Sequence, residues 1–161
     1  MQGIINFATV VLSISSQHVT GKECWKPNEL FYTECSNTHV VRAVALNSCI
    51  ESPCELKANR SATLMITFQP RTKITQLIPE LHLYVNFFLR PTFNPKSSKS
   101  FSESMDGTFP LEPGRFYTYT FSEVMPARTG SVTATWRMYD QNSNSAVCVE
   151  FPVVVVDPED E

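Results

Sequence analysis

The sequence predicts an all-β protein built as an antiparallel β-sandwich. Apolar residues recur at every second position in several segments of strand length, and this is the period at which side chains reach one face of a sheet. Proline, asparagine, serine and aspartate bound these segments, and no long stretch shows helical periodicity. Several half-buried strands separated by turns favour two packed antiparallel sheets.

The alternating segments follow one another along most of the chain. In chain order they are residues 39–46 (HVVRAVAL), 63–68 (TLMITF), 81–88 (LHLYVNFF), 115–121 (RFYTYTF), 131–140 (SVTATWRMYD) and 146–156 (AVCVEFPVVVV). Successive side chains of a strand point to opposite faces, so alternate apolar residues are expected on one side. The last segment is apolar on both faces in part, and Glu150 interrupts it.

Residues 90–114, "RPTFNPKSSKSFSESMDGTFPLEPG", break the alternation. The segment is rich in proline and serine, but it also carries Phe93, Phe101, Met105 and Phe109. Long loops inside compact domains are uncommon and are often functional. Because apolar side chains in a mobile loop can cover an apolar surface, we interpret the segment as a lid; a disordered insertion is the alternative.

Length and charge exclude several classes of protein. A chain of 161 residues with net charge −3 fits one domain and lacks the basic stripe of a nucleic-acid binder. Five glycines supply no phosphate-binding loop, and no GxSxG or HExxH motif is present. We therefore expect a protein that is not an enzyme, needs no cofactor and binds no nucleic acid.

The N-terminus resembles a signal peptide. Residues 4–14 are mostly apolar and no charge precedes Lys22, although a basic n-region is missing. The run is shorter than the about 20 residues that span a bilayer. We expect a signal peptide over residues 1–21 and one mature domain over residues 22–161; an N-terminal strand is the alternative.

Five cysteines agree with secretion, because disulfides persist in oxidising compartments. They are Cys24, Cys35, Cys49, Cys54 and Cys148. The spacing contains no CxxC and suits neither a zinc site nor another metal centre. Asn59, in Asn-Arg-Ser, is a candidate glycosylation site.

The order of the cysteines resembles that of the ML domain, a lipid-recognition family. Cys35, Cys49 and then Cys148 ahead of "VEFPVVVV" are similar to that family's frame over residues 24–156. The resemblance implies a hollow, immunoglobulin-like sandwich of two sheets that holds a lipid between them. It also implies a bridge between Cys35 and Cys148.

The sequence resembles two branches of this family. "SPCELKANRSATLMITF" and "TWRMYDQNSNSAVCVEFPV" look like the Niemann–Pick type C sterol carriers, in which a loop like Cys49–Cys54 is closed by its own disulfide. Cys24, "FYTEC" and "QPRTKITQLIPELHLYVN" are similar to the lipopolysaccharide co-receptor branch, which implies a bridge between Cys24 and Cys49. Both branches usually carry a further cysteine pair in the region of residues 90–113, and this chain has none there.

The co-receptor resemblance implies a secreted protein that presents an acylated lipid, such as lipid A, to a leucine-rich-repeat Toll-like receptor. Met125 and Pro126 fall where that branch contacts its receptor. The alternatives are a sterol or fatty-acid transfer protein with a narrower cavity, and a solid sandwich that binds no ligand. Cations expected at the cavity mouth are Arg90, Lys96, Lys99 and Arg128. Residues expected on the cavity wall are Leu64, Ile66, Phe68, Leu81, Leu83, Val85, Phe87, Tyr119, Phe121, Trp136, Phe151 and Val153.

Overall fold

The computed structural model describes residues 29–47, 49–85, 88–89, 102–125, 127 and 129–158. The predicted signal peptide and the start of the mature domain lie outside these ranges. In the described part, no helix is long and apolar enough to cross a membrane. The strands there are β1 (Thr33–Glu34), β2 (Val40–Leu46), β3 (Cys54–Lys57), β4 (Ser61–Gln69), β5 (Ile78–Val85), β6 (Phe88–Leu89), β7 (Ser102–Met105), β8 (Tyr117–Val124), β9 (Gly130–Tyr139) and β10 (Ser145–Val156).

The strands form two sheets, which confirms the predicted two-sheet sandwich. One sheet has the order β1-β10-β9-β5-β6, with β3 also paired to β10, and the other has the order β2-β4-β8-β7. All pairs are antiparallel except β3 with β10, which run parallel from Cys54 beside Val153 to Lys57 beside Val156. Because β1 pairs with β10 at Glu150 and Val149, β1 and β3 share one edge of that strand.

Alternation along the strands decides which side chains face inward. In β4 every second residue, from Ala62 to Phe68, is buried, and in β8 the same holds from Tyr117 to Glu123. The inward faces of the two sheets pack against each other, as in other sandwiches. Because the two-residue period of apolar residues in the sequence matches the period of burial in these strands, the sequence predicts correctly which face of each strand points inward.

One end of the sandwich is solidly packed. Phe68 of β4 and Met138 of β9 are fully buried there. Ile74 and Leu111, which lie in loops, are also fully buried and exchange backbone hydrogen bonds of 3.1 and 2.8 Å. These loop residues close the space between the sheets at this end, which we call the packed end.

The disulfide predicted between Cys35 and Cys148 is present and ties the segment after β1 to β10. The structure departs from the prediction at Cys49, which is a buried free thiol rather than the partner of Cys24. The Cys49 thiol contacts the backbone oxygen of Glu51 at 3.5 Å and lies beside Cys54, also free and buried. The neighbouring thiol is therefore on the short 49–54 loop, whereas Cys24 lies outside the described residues.

The segment over residues 90–114 is not one long loop. Its residues Ser102–Met105 form β7, which pairs with β8 at the edge of the four-stranded sheet. Leu111 then returns to the core at the packed end. Residues 90–101, where Phe93 and Phe101 were expected to form a lid, lie outside the described residues.

Candidate functional site

A cavity of about 220 Å³ lies between the two sheets, at the end opposite the packed end. Its wall is drawn from both sheets, so the space is the part of the sandwich interior that side chains do not fill. The described residues that line it are Leu46, Leu56, Ala62, Leu64, Leu81, Leu83, Phe121, Glu123, Val124, Met125, Ala134, Trp136, Phe151 and Val153. All but one of these side chains are apolar or aromatic, which makes the cavity suited to a hydrocarbon ligand.

Aromatic rings separate the cavity from the packed end. The Trp136 indole of β9 lies with its ring centroid 4.6 Å from that of Phe121 and 5.8 Å from that of Tyr119, both on β8. The rings are inclined by 40–47°, within the range of tilted aromatic contacts. Trp136 and Phe121 therefore form the floor of the cavity.

Glu123 is the only ionisable residue among the described residues that line the cavity. It follows Phe121 on the inward face of β8, and it is 6% exposed. One carboxylate oxygen, Oε1, accepts a hydrogen bond of 3.1 Å from the Val124 amide. The carboxylate lies beyond the floor, next to Val124, which is 41% exposed at the end of the strand.

A polar groove adjoins the cavity. Leu56, Ala62 and Met125 line both spaces, and they separate the cavity from the groove, whose volume is about 460 Å³. The remaining groove residues are Ile50, Glu51, Glu55, Lys57, Arg60 and Ser61. Two cations and two carboxylates thus stand at this end of the sandwich.

The predicted wall residues fall into three groups. Those that line the cavity are Leu64, Leu81, Leu83, Phe121, Trp136, Phe151 and Val153. Ile66, Phe68 and Tyr119 point inward but are buried in the packed part of the core, because the floor lies between them and the cavity. The Val85 side chain and all of Phe87 lie outside the described residues.

The predicted head-group cations, Arg90, Lys96, Lys99 and Arg128, also lie outside the described residues. Among described residues, Lys57 and Arg60 are the cations beside the cavity, and sequence reasoning missed them. Asn59, in the turn between β3 and β4, is exposed at this same end, with a φ of 57° and its amide 3.0 Å from the Met125 oxygen. Its glycosylation stays a prediction.

Sequence reasoning also missed Glu123. In "YTYTFSEV" the residue continues the inward series of Tyr117, Tyr119 and Phe121, so the period that placed those rings places the carboxylate on the same face. The signal was therefore present in the alternation. A charged residue at an inward position is usually assigned to a strand end, because burial of a charge is costly.

Comparison with known proteins finds solved structures of similar fold. The chain is similar in structure to a Niemann-Pick type C2 protein from Japanese carpenter ant, with TM-score 0.66 and 14% identity over 78% of this chain and 99% of that one. It is also similar to chicken MD-1 complexed with lipid IVa, with TM-score 0.53 and 16% identity over 81% and 93% of the two chains. No curated protein sequence matches the chain.

The assignment of the chain to a family is based on its sequence. The sequence model described as the ML domain matches residues 29–155, which covers every strand named above except the last residue of β10. The two similar structures share the sandwich fold, and their low identities limit that likeness to the fold. The chain belongs to the ML domain family.

Proposed function

We propose that the protein is a secreted carrier that holds one slim lipid, a sterol or a single hydrocarbon chain, between its sheets. The apolar cavity above Trp136 and Phe121 carries this proposal. Its volume of about 220 Å³ lies below the about 300–1,000 Å³ usual for pockets of drug-sized ligands. A ligand of several acyl chains would need the sheets to separate further.

Hydrocarbon burial provides enough free energy for useful binding. Each buried methylene contributes about 0.8 kcal/mol, so about ten methylenes supply about 8 kcal/mol before the cost of association. The lining side chains already face the cavity. The Cys35–Cys148 disulfide supports the proposed secretion, since such bonds persist in oxidising compartments.

Presentation of a multi-acyl lipid to a Toll-like receptor is the second candidate. The likeness to chicken MD-1 complexed with lipid IVa favours it at the level of the fold. Under this alternative, Met125 at the cavity rim would belong to a surface that contacts the receptor, as the sequence resemblance implies. The two candidates differ in the number of chains that enter the cavity.

Native mass spectrometry distinguishes the two candidates. Protein purified without detergent is offered cholesterol, a single-chain lipid and lipid A. Our proposal predicts one-to-one uptake of cholesterol or the single-chain lipid, with lipid A excluded. Preferential uptake of lipid A would support the co-receptor role instead, and uptake of none of the three would contradict both.

A matched pair of variants locates the bound lipid. Ala134 lines the cavity, whereas Thr133 precedes it on the outer face of the same strand. Ala134→Phe places a ring inside the cavity and is expected to abolish uptake. Thr133→Phe adds the same ring outside and is expected to leave uptake unchanged; equal uptake by both variants would place the ligand elsewhere.

A further inference from the structure

The floor of the cavity contains a hydrogen-bond donor without an acceptor. Trp136 is fully buried and lines the cavity from β9. Its indole nitrogen Nε1 is also buried, and the N–H has no hydrogen-bond acceptor among the described residues. Nearly all buried polar groups in native proteins are paired, because a buried donor without a partner lowers stability. The indole N–H is therefore a group on the floor that a ligand can engage.

The side chains that surround the indole explain why its N–H is unpaired. They come from the cross-strand neighbours, from the same face of β9 and from the opposite sheet, and they are Leu81, Val149, Ala134, Met138, Tyr119 and Phe121. Among them, Tyr119 has a hydroxyl group, which donates a hydrogen bond of 2.9 Å to Glu103 and makes none with the indole. The strand register therefore surrounds the N–H mainly with hydrocarbon.

The cavity is the space from which an acceptor can approach the indole. Leu81, Ala134 and Phe121 contact both spaces, the surroundings of the indole and the cavity, so the unfilled volume begins beside the ring. A buried water usually makes about three hydrogen bonds, and the indole offers it one donor among apolar neighbours. An oxygen attached to a hydrocarbon fits better, because the chain is buried against the apolar walls at the same time.

We infer that the Trp136 indole N–H selects neutral lipids whose innermost end carries an acceptor oxygen. This inference rests on the proposed function, because it requires that a lipid occupies the cavity. It narrows the ligand class to molecules with a ketone, ester or hydroxyl oxygen at one end of a hydrocarbon, and that oxygen lies on the floor while the hydrocarbon extends towards Met125 at the rim. A carboxylate is excluded from this end, because burial of a charge among apolar side chains is costly.

The indole proton itself reports the contact. A Trp25→Phe background leaves Trp136 as the sole indole of the full chain, so a proton–nitrogen correlation spectrum shows one indole N–H signal. Methyl undecyl ketone and tridecane, which have the same number of carbons, are added separately. We expect the ketone to move the indole proton to lower field, because the proton becomes hydrogen-bonded. Tridecane should fill the cavity without this shift.

Two isomeric ketones test where the oxygen lies. Methyl undecyl ketone has its carbonyl near one end, and dihexyl ketone has it in the middle of an equally long chain. Both lose the same contacts with water, so a difference in affinity reports the position of the carbonyl in the site. Displacement of bound N-phenylnaphthylamine measures the affinities. We expect methyl undecyl ketone to bind at least about fivefold more tightly, the ratio that one net hydrogen bond supports.

Two substitutions on the floor separate the donor from the ring that bears it. Trp136→Phe keeps an aromatic ring and removes the N–H, and we expect it to bring the two ketones within about twofold of each other. The matched control is Phe121→Leu, which removes a ring from the same floor and leaves the donor. It should weaken both ketones together and preserve the preference. Circular dichroism checks that both variants fold, and the spectra of the Trp25→Phe protein test the inference without either.

The outcomes separate the inference from the proposed function. If the indole proton responds equally to tridecane and methyl undecyl ketone, or if the preference survives in folded Trp136→Phe, the inference is wrong while lipid carriage stands. An indole proton that contacts a bound water with and without ligand would also overturn the inference. If cholesterol binds and the ketones do not, its effect on the indole proton decides by the same criterion. If cholesterol, tridecane and both ketones all fail to bind, the proposed function itself fails.

Discussion

The Trp136 indole of β9 meets the Phe121 ring of β8 across the sandwich, with ring centroids 4.6 Å apart. The contact joins the two sheets and separates a packed end from a hollow end. The buried indole N–H finds no hydrogen-bond acceptor among the described residues. Trp136 therefore contributes both to the packing between the sheets and to the wall of the cavity.

Trp136→Leu is expected to lower the free energy of unfolding by about 2–3 kcal/mol. The lost packing against Phe121 and Tyr119 outweighs the gain from removing an unsatisfied buried N–H, which is worth about 1–3 kcal/mol at most. Urea unfolding followed by circular dichroism measures the change. Met138→Leu, a substitution of similar volume at the packed end, is the control and should cost less than about 1.5 kcal/mol; an equal loss in both variants would contradict a special role for Trp136.

The Cys35–Cys148 bridge is expected to stabilise the fold strongly. It links residues 113 positions apart, and a loop of that length corresponds to about 4–5 kcal/mol in the chain-entropy model. A double Cys35→Ala, Cys148→Ala variant should lose a stability of this order in urea unfolding. A Cys54→Ala variant, which removes a buried thiol but no bridge, should lose much less, and equal losses would contradict the prediction.

Alkaline conditions are expected to destabilise the protein. Burial, followed by the neighbouring Cys49, raises the pKa of the Cys54 thiol above its ordinary 9.0. Burial and the Glu103 carboxylate raise the pKa of Tyr119 above its ordinary 10.0. Above these ordinary values the unfolded chain releases protons that the folded state retains, so stability that is complete below them is lost as the pH rises.

Urea midpoints at about pH 8 and about pH 10.5 measure this loss. Cys54→Ala and Tyr119→Phe should each flatten the dependence, although Tyr119→Phe also loses its 2.9 Å hydrogen bond to Glu103 at every pH. Tyr84→Phe serves as the control on the outer face of β5. A midpoint that is unchanged between the two pH values would show the prediction to be wrong.

Acid is also expected to weaken the packed end. Burial lowers the pKa of His39 below its ordinary 6.5; nearby Asp140 opposes the shift, and Arg71 adds to it. The neutral ring accepts a hydrogen bond of 3.1 Å from the Arg71 amide through Nδ1. Below pH 6.5 the unfolded chain binds a proton at His39 that the folded state does not bind. Stability that is present above pH 6.5 is therefore lost as the pH falls below it.

His39→Gln tests this effect. It should lower stability at neutral pH and make the urea midpoint less dependent on pH between about pH 7.5 and about pH 5. His82→Gln changes the partly buried histidine that lies 3.1 Å from Glu80, and it provides the comparison. If both variants retain the pH dependence of the original chain, His39 is not its source.

The faces of the strands could be predicted from the sequence because each strand imposes a period of two. Leu64 and Leu81 were placed inward by this rule, and both lie on the cavity wall. The boundary between cavity and solid core could not be predicted in the same way. It depends on Ile74 and Leu111, loop residues whose return to the interior leaves no periodic signal.

The pairing of the cysteines shows a second limit. Cys35 and Cys148 occupy positions that the family frame fixes, and their bridge is present. Cys49 has two candidate partners in the sequence, and spacing alone does not decide between them. In the structure Cys54 begins β3, which is aligned parallel to β10 at Val153, and Cys49 lies beside Cys54.

The division of the sandwich at Trp136 has a consequence for how such a protein can change over generations. Substitutions at Leu83, Ala134 or Val153 alter the shape of a space that is already unfilled. The packed end and the Cys35–Cys148 disulfide continue to stabilise the fold. Marginally stable proteins tolerate few core substitutions, because each costs a large share of the total. In such a fold, the interior positions that tolerate the most change line the cavity. Point substitutions there can therefore change which ligand fits while the structure is retained.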